Sequence, residues 1–192
     1  PDERGTYRDA TAALEYLRAA IGAALRGDIG AIVTLPMNKA ATRLSTPSFT
    51  GHTDVIAEAC GTRDYTMTLI SDKLIAAHVS SHVSLREAIE GLNAERIATV
   101  IRLTANVAQK LQRTGPVGVL GLNPHAGEDG AFGGEEEACI GPAIEQAREQ
   151  GDEVAGPLPP DTAFARALRG GFAALVCMYH DQGHIALKTL GF

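Results

Sequence analysis

The chain contains no tryptophan and only 5% aromatic residues, so it offers no row of rings on which single-stranded nucleic acid could stack. Basic charge is also scarce. Lysine and arginine total 17 against 23 aspartates and glutamates, net −6, and no basic block interrupts the balance; nucleic acid is thereby excluded as the main partner. Cysteine is limited to Cys60, Cys139 and Cys177. Such few, widely spaced thiols fit a reduced, cytoplasmic protein better than a disulfide framework or a zinc ribbon. No apolar run is long enough to cross a bilayer, and no charged start leads into an apolar signal core, so neither membrane nor secretion is indicated. Nucleotide-binding loops are missing too: there is no Gly-x-Gly-x-x-Gly behind a strand and no phosphate loop ending in Gly-Lys-Ser/Thr. The glycine-rich stretch Gly130–Gly134 runs into Glu135-Glu136-Glu137, a poor neighbour for phosphate.

What is present is enough for a sizeable core: 192 residues, 45% hydrophobic. Leu14, Leu17, Ile21 and Leu25, with Ala10 before them, form a helical stripe over 8–26, and Gly27 is placed to cap it. Residues 30–35 read as a buried strand halted by Pro36, and 38–44 as a short helix. Residues 65–70 and 74–79 are further strands. Ser84 and Glu87 have capping-box spacing. A long helix follows Asn93, striped by Ile97, Val100, Ile101, Thr104, Ala108 and Leu111, and ends at Gly115-Pro116. Residues 117–122 form a strand, and Glu135–Glu137 open a helix at its positive end. Residues 156–160 form a stiff loop, Asp161 caps a helix to Leu168, and 172–177 is a buried strand. Helices alternating with apolar strands imply an α/β fold, a largely parallel sheet covered on both faces. In such sheets function gathers beyond the strand ends.

Three polar segments occupy those ends: Pro36–Lys39, Asn123–Glu128 and His180–Gly183. Imidazole is the commonest protein ligand for zinc, and three leave a position open for substrate. His82, His125 and His180 lie 43 and 55 residues apart, so only a fold could join them, and each alone is more often an ordinary polar histidine. His78 and His82 are four apart, but 74–79 reads as strand, which makes His78 structural rather than half of a helical metal pair. The loop Ser48–Asp54 either holds an anion on the first amides of a helix or is simply a turn capped by Thr53. If 183–190 is extended, His184, Ala186 and Lys188 share one face. Lys188 then either holds a phosphate or carboxylate near His180 or is a solvated strand-end lysine.

Taken together, Thr34–Lys39, Gly51-His52-Thr53, His82, Gly121–Glu128, Gly156–Thr162 and Met178–Gly183, in this order, resemble the PdxA family, the 4-hydroxythreonine-4-phosphate dehydrogenases of vitamin B6 (pyridoxine) synthesis. The resemblance covers essentially the whole chain. It implies a three-layer α/β/α fold like that of isocitrate and isopropylmalate dehydrogenases, two lobes with a cleft, and a homodimer with its active site at the interface. Three histidines from both subunits hold a divalent metal, zinc, magnesium or cobalt, and match His82, His125 and His180. Substrate contacts match His52, Thr53 and Lys188, while Lys188 and Asp181 are the candidates for catalysis, Asp181 by orienting a histidine. NAD or NADP is the implied oxidant, with its contact residues unassigned. The family's opening strand and glycine loop and its later segments are not found here. Residues 1–192 are therefore expected to be the central part of such a dehydrogenase, spanning portions of both lobes and incomplete at both ends.

The implied reaction is oxidation of the 3-hydroxyl of 4-phosphohydroxy-L-threonine, then decarboxylation to 3-amino-2-oxopropyl phosphate. An alternative is the same chemistry on 4-phospho-D-threonate or 4-phospho-D-erythronate in sugar-acid catabolism. The ending Gly183–Lys188 is more similar to that branch, and Gly51-His52-Thr53 argues against the dihydrodiol dehydrogenases. A metal-dependent lyase or aldolase, or an inactive remnant, are the rival classes. Turnover without nicotinamide marks the first and a folded, silent protein the second.

Overall fold

The computed structural model describes residues 3–49 and 51–191, with side chains described from residue 11 to Leu190 apart from Thr50. Ala10 of the predicted stripe, Thr50 of the Ser48–Asp54 loop and the terminal residues Pro1 and Phe192 therefore lie outside the described side chains. The chain divides into two compact units, residues 1–63 and 64–192.

The first unit holds α1 (Glu3–Leu25), α2 (Lys39–Ser45) and α3 (His52–Ala59). Leu14, Leu17 and Ile21 form the buried face of α1 and close on Phe49, with Ile32, Met37, Val55 and Ile56 around them. Gly27, at φ 80°, ends α1. Its amide reaches Ala24 and that of Asp28 reaches Ala23, a Schellman closure that only a left-handed residue completes. Asn38 caps α2 by accepting from the amide of Ala41. The predicted strand over 30–35 is not formed. A strand needs a ladder partner, none exists among the described residues of this unit, and Val33 and Leu35 are left 93% and 82% exposed.

The second unit is built on a five-stranded sheet in the order β1-β2-β5-β3-β4: β1 (Met67–Ile70), β2 (Ile75–His78), β3 (Val117–Leu120), β4 (Val154–Leu158) and β5 (Ala174–Cys177). Only the β1–β2 pairing is antiparallel; β2–β5, β5–β3 and β3–β4 are parallel. Alternate residues of each strand face opposite sides, and both sides are covered. Ala77, Val119, Val176 and Met178 pack with Ile97, Val100 and Ile101 of α5 (Ala94–Lys110) and with Ile144 and Ala147 of α6 (Gly141–Glu149). On the other face, Ala76, Leu120, Leu175 and Cys177 meet Ala163 and Ala167 of α7 (Pro160–Ala167) and Leu187 of α8 (His180–Gly191). The expected α/β fold with helices on both faces of the sheet is borne out, the largely parallel sheet being mixed through the β1–β2 pairing.

Local signals held where the side chain itself makes the bond. Ser84 and Glu87 form the predicted capping box at α4 (Leu85–Glu90). Asn93 caps α5 through the amide of Arg96. Other boundaries moved. Helix α5 stops at Lys110, before Gly115-Pro116, because Gln112 adopts φ 54° and closes the helix itself. Residues 156–158 of the predicted loop 156–160 belong to β4. Helix α7 starts at Pro160 after Pro159, so Asp161 lies in its first turn and is not the cap. The helix expected at Glu135 begins as a π-turn over Glu136–Ile140 before α6.

The largest change is at 183–190, which is helix rather than extended chain. Gly183, His184 and Leu187 are its buried positions, a spacing of one helical stripe. His180, His184 and Lys188 therefore follow one another at four-residue intervals along α8, and Ala186 leaves the face once given to it. Gly183 is required by this packing. A Cβ there would strike Nε2 of the buried His78 and come within 2.9 Å of Cys177 Sγ. Ala ordinarily gains about 1 kcal/mol over Gly inside a helix, but overpacking costs about 1–3 kcal/mol. Gly183→Ala is expected to lower stability by about 1 kcal/mol in urea unfolding; a stabilised variant would mean that α8 does not press on β2 as described.

Candidate active site

Strands β2, β5 and β3 are adjacent and parallel, so their carboxyl ends share one edge of the sheet. His82 follows β2, His180 follows β5 and His125 follows β3. The pairing of β2 with β5 continues past both strands: the amides of Val79 and Ser80 donate to the carbonyls of Cys177 and Met178, at 2.8 and 3.3 Å. Ser80 Oγ adds a 3.0 Å bond to Met178. That zipper brings the His82 loop beside the first turn of α8. The two rings lie 5.9 Å apart, centroid to centroid, and both line a cleft of about 300 Å³ with Ser80, Ser81, Tyr179 and Asp181.

His180 Nδ1 stands 2.6 Å from Asp181 Oδ1. An ionised carboxylate only accepts, so Nδ1 carries the proton and Nε2 keeps its lone pair. Behind His180 the ring of His184 stacks at 3.6 Å, nearly parallel at 11°. His184 Nδ1 faces the carbonyl of His180 at 3.0 Å and Nε2 of His78 at 3.2 Å. His78 Nδ1 in turn faces the Met67 carbonyl at 3.1 Å. Because a carbonyl accepts only, His78 donates from Nδ1 and accepts at Nε2, which makes His184 the donor from its own Nδ1. Burial pushes the His78 imidazole down to about 4, helped by the charges of His184 and His180 and opposed by the bond to Met67. Burial also lowers His184. Both are neutral at pH 7.

His125 sits in a run of left-handed backbone, with φ of 53° at His125, 55° at Ala126, 42° at Glu128 and 53° at Asp129. Its ring meets Phe132 at 5.9 Å. It is not grouped with His82 and His180: among the described residues, no set of three or more His, Cys, Asp or Glu side chains is placed to hold a metal ion. A single chain thus brings together two of the three imidazoles expected to ligate. Lys188 is exposed and lies near enough to His184 to depress its pKa. In the first unit, His52 opens α3 and packs its ring 6.5 Å from Phe49. The N-cap is Gly51, so Thr53 lies in the first turn, exposed, and does not cap. His52 lines a pocket of about 390 Å³ with Pro36, Met37 and Tyr16.

Sequence reasoning placed His78 correctly as structural but missed its partner His184, as well as Gln182 and Glu136. The four-residue spacing of His180, His184 and Lys188 was the available signal for a helix. Glu136 precedes Ile140, Ala143 and Ile144 in the same helical phase, which marks a charged residue at a core position.

The sequence profile described as pyridoxal phosphate biosynthetic protein PdxA matches residues 3–192. The chain is 45% identical over 181 residues to the D-threonate 4-phosphate dehydrogenase of Salmonella typhimurium, a match covering 94% of this chain and 55% of that protein. It is 43% identical over 180 residues to the 4-hydroxythreonine-4-phosphate dehydrogenase of Desulfosudis oleivorans, covering 92% and 53%. A crystal structure of 4-hydroxythreonine-4-phosphate dehydrogenase from Klebsiella pneumoniae superposes with a TM-score of 0.85 at 44% identity, covering 92% of this chain and 55% of that one. The chain spans about half the length of the curated relatives it matches.

Proposed function

This chain belongs to the PdxA family, and we propose that it forms the central part of a metal-dependent, NAD- or NADP-linked dehydrogenase acting on a 4-phosphorylated four-carbon hydroxy acid. The observation that carries the reading is the facing pair His82 and His180, with the Asp181 carboxylate fixing the His180 tautomer and leaving Nε2 free. Imidazole oriented by a carboxylate is the usual arrangement of a metal-ligating histidine, so the donor chemistry fits a divalent ion. The third ligand assigned is His125. Its separation from the other two within one chain fits a site shared between two subunits of a homodimer.

When bound, a divalent ion supplies Lewis acidity toward an alcohol and an enolate. The protein's own groups do the rest. The family resemblance assigns substrate contacts to His52 and Thr53 in the first unit and to Lys188 in the second, suited to phosphate or carboxylate. Asp181 keeps the proton on His180 Nδ1, so that Nε2 is the nitrogen left to bind an ion. The chemistry a nicotinamide would supply is acceptance of a hydride from C3 as the hydroxyl gives up its proton, leaving a 3-oxo acid; loss of carbon dioxide would then leave on C2 an electron pair that takes up a proton.

D-threonate 4-phosphate is the substrate we favour. Relatives bearing that name match at 38–49% identity, and the segment Gly183–Lys188 resembles that branch. The test is formation of reduced nicotinamide from 4-phospho-D-threonate, 4-phospho-D-erythronate and 4-phosphohydroxy-L-threonine, each with NAD and with NADP, with and without a chelator. We expect threonate turnover to be highest and to vanish with the chelator. Preference for the amino acid phosphate would move the protein to pyridoxine synthesis. Substrate consumption without nicotinamide would overturn the dehydrogenase reading in favour of a lyase.

A further inference from the structure

The segment that carries His125 is held from beneath by a carboxylate to which nothing so far has given a role. Glu136 is 5% exposed. Its Oε1 accepts from the amides of Leu122 and Asn123, both at 2.8 Å, and its Oε2 accepts from Asn123 Nδ2 at 2.9 Å. Burial alone would raise the carboxyl's pKa, but the bonds donated by Asn123 and Leu122 outweigh it and hold the group below the usual carboxylate range. The fit around it is tight. A Cβ at Gly121 would lie 3.1 Å from Oε1, and one at Gly127 2.7 Å from Oε2.

The same turn is gripped from a second side. Gln182 Nε2 donates to the Gly121 carbonyl at 2.8 Å, while its Oε1 accepts from the Met178 amide at 2.7 Å. One side chain therefore ties the start of α8, where His180 sits, to the end of β3, where the His125 turn begins. Non-glycine residues in the left-handed region persist only where their surroundings over-determine them. His125, Ala126, Glu128 and Asp129 all lie there, so the turn needs such a hold.

We propose that Glu136 is a positioning residue for His125: its buried carboxylate clamps the Leu122–Asn123 peptides, and with Gln182 it sets where the His125 imidazole stands relative to the His180 turn. The proposal rests on the reading of His125 as a metal ligand. Glu136→Gln preserves shape and one acceptor but turns an amide donor toward Asn123 Nδ2, which is already committed to Glu135 Oε2 at 2.7 Å.

The experiment measures Zn²⁺ or Co²⁺ affinity, thermal melting and amide hydrogen exchange of residues 122–130 on the purified protein and its variants. Changes in groups that orient metal ligands usually weaken metal binding about 10–100-fold, and Glu136→Gln is expected to fall in that range. The exposed Glu137→Gln, with the same change of charge, should bind as the parent does. The double variant Glu136→Gln/His125→Ala should bind no more weakly than His125→Ala alone. A folded Glu136→Gln protein with parental affinity, or additive losses in the double variant, would overturn the proposal. Should Glu136→Gln fail to fold, Gln182→Met loosens the turn from the other side and must lower affinity about tenfold; parental affinity in it overturns the proposal equally. If His125→Ala alone leaves metal binding intact, the ligand assignment is what fails. Hydrogen exchange then decides the clamp, which is refuted if 122–130 stays as protected in Glu136→Gln as in the parent.

Discussion

On the proposed metal-dependent reading, His180→Ala is expected to abolish divalent-ion binding and with it about a thousandfold or more of turnover. The figure follows from the several kcal/mol that an ion contributes to stabilising developing negative charge, at about 1.36 kcal/mol per tenfold in rate. His180 is singled out over His82 because it is doubly constrained. Asp181 Oδ1 fixes its Nδ1 at 2.6 Å, and the His184 ring stacks on it at 3.6 Å. His82 is exposed and has only the facing ring of His180 among its described contacts. An ordered imidazole has little rotamer freedom left to lose on binding an ion, so its removal costs more than that of a mobile one. Asp181→Asn should fall between, near 10–100-fold in metal affinity, because an amide can still accept from Nδ1 but leaves the imidazole less basic. The measurement is bound metal by elemental analysis beside turnover at saturating nicotinamide. His180→Ala protein that retains its metal would end the assignment of this cleft.

How much of this was legible in the sequence depends on where the information sits. The helix stripe through Leu14, Leu17 and Ile21, the Ser84–Glu87 box and the Asn93 cap were readable because each is decided within a few residues. The two-faced burial of β5 was readable as well: Leu175 and Val176 are both 0% exposed on opposite sides of the sheet, and a strand buried on both faces shows an unbroken apolar run. Residues 30–35 have the same character but find no ladder partner among the described residues, and no local rule reveals that. Residues 183–190 failed for another reason. Alternation of His184, Ala186 and Lys188 was read as period two, while the burial of Gly183, His184 and Leu187 is set by α8 lying on His78 and Cys177, residues distant in sequence. The site shows the same division. His125 and His180 could be named as candidates because the ends of parallel strands collect function, and His82 joined them as a ligand through the family resemblance. Glu136, Gln182 and the His78–His184 pair could not, since their roles arise only when β2, β3 and α8 are brought together.

Acid is expected to unfold the protein through His78. In the unfolded chain its imidazole titrates near 6.5, whereas in the fold, 1% exposed, it stays neutral down to about 4. Between those values the unfolded state binds more protons, so stability falls as pH falls. The contribution is complete above about pH 6.5 and gone below about 4. At about 1.36 kcal/mol per pKa unit it amounts to roughly 3 kcal/mol. The groups facing His78 act in the same sense. His184 is lowered by burial, by His180 and by Lys188, with the bond to the His180 carbonyl and Asp181 opposing, and a proton on His78 Nε2 would set two N–H donors face to face across the 3.2 Å contact. Glu87 and Glu136, both lowered, also lose stability in acid, but at lower pH and equally in any His78 variant. The decisive quantity is therefore a difference. Urea unfolding of the parent and of His78→Leu, stepped from pH 7 to 4.5, should give a steep decline in the parent and a much flatter one in the variant, even though the variant starts lower for want of a donor to the Met67 carbonyl. Parallel slopes would show that His78 is not held neutral between β1 and α8.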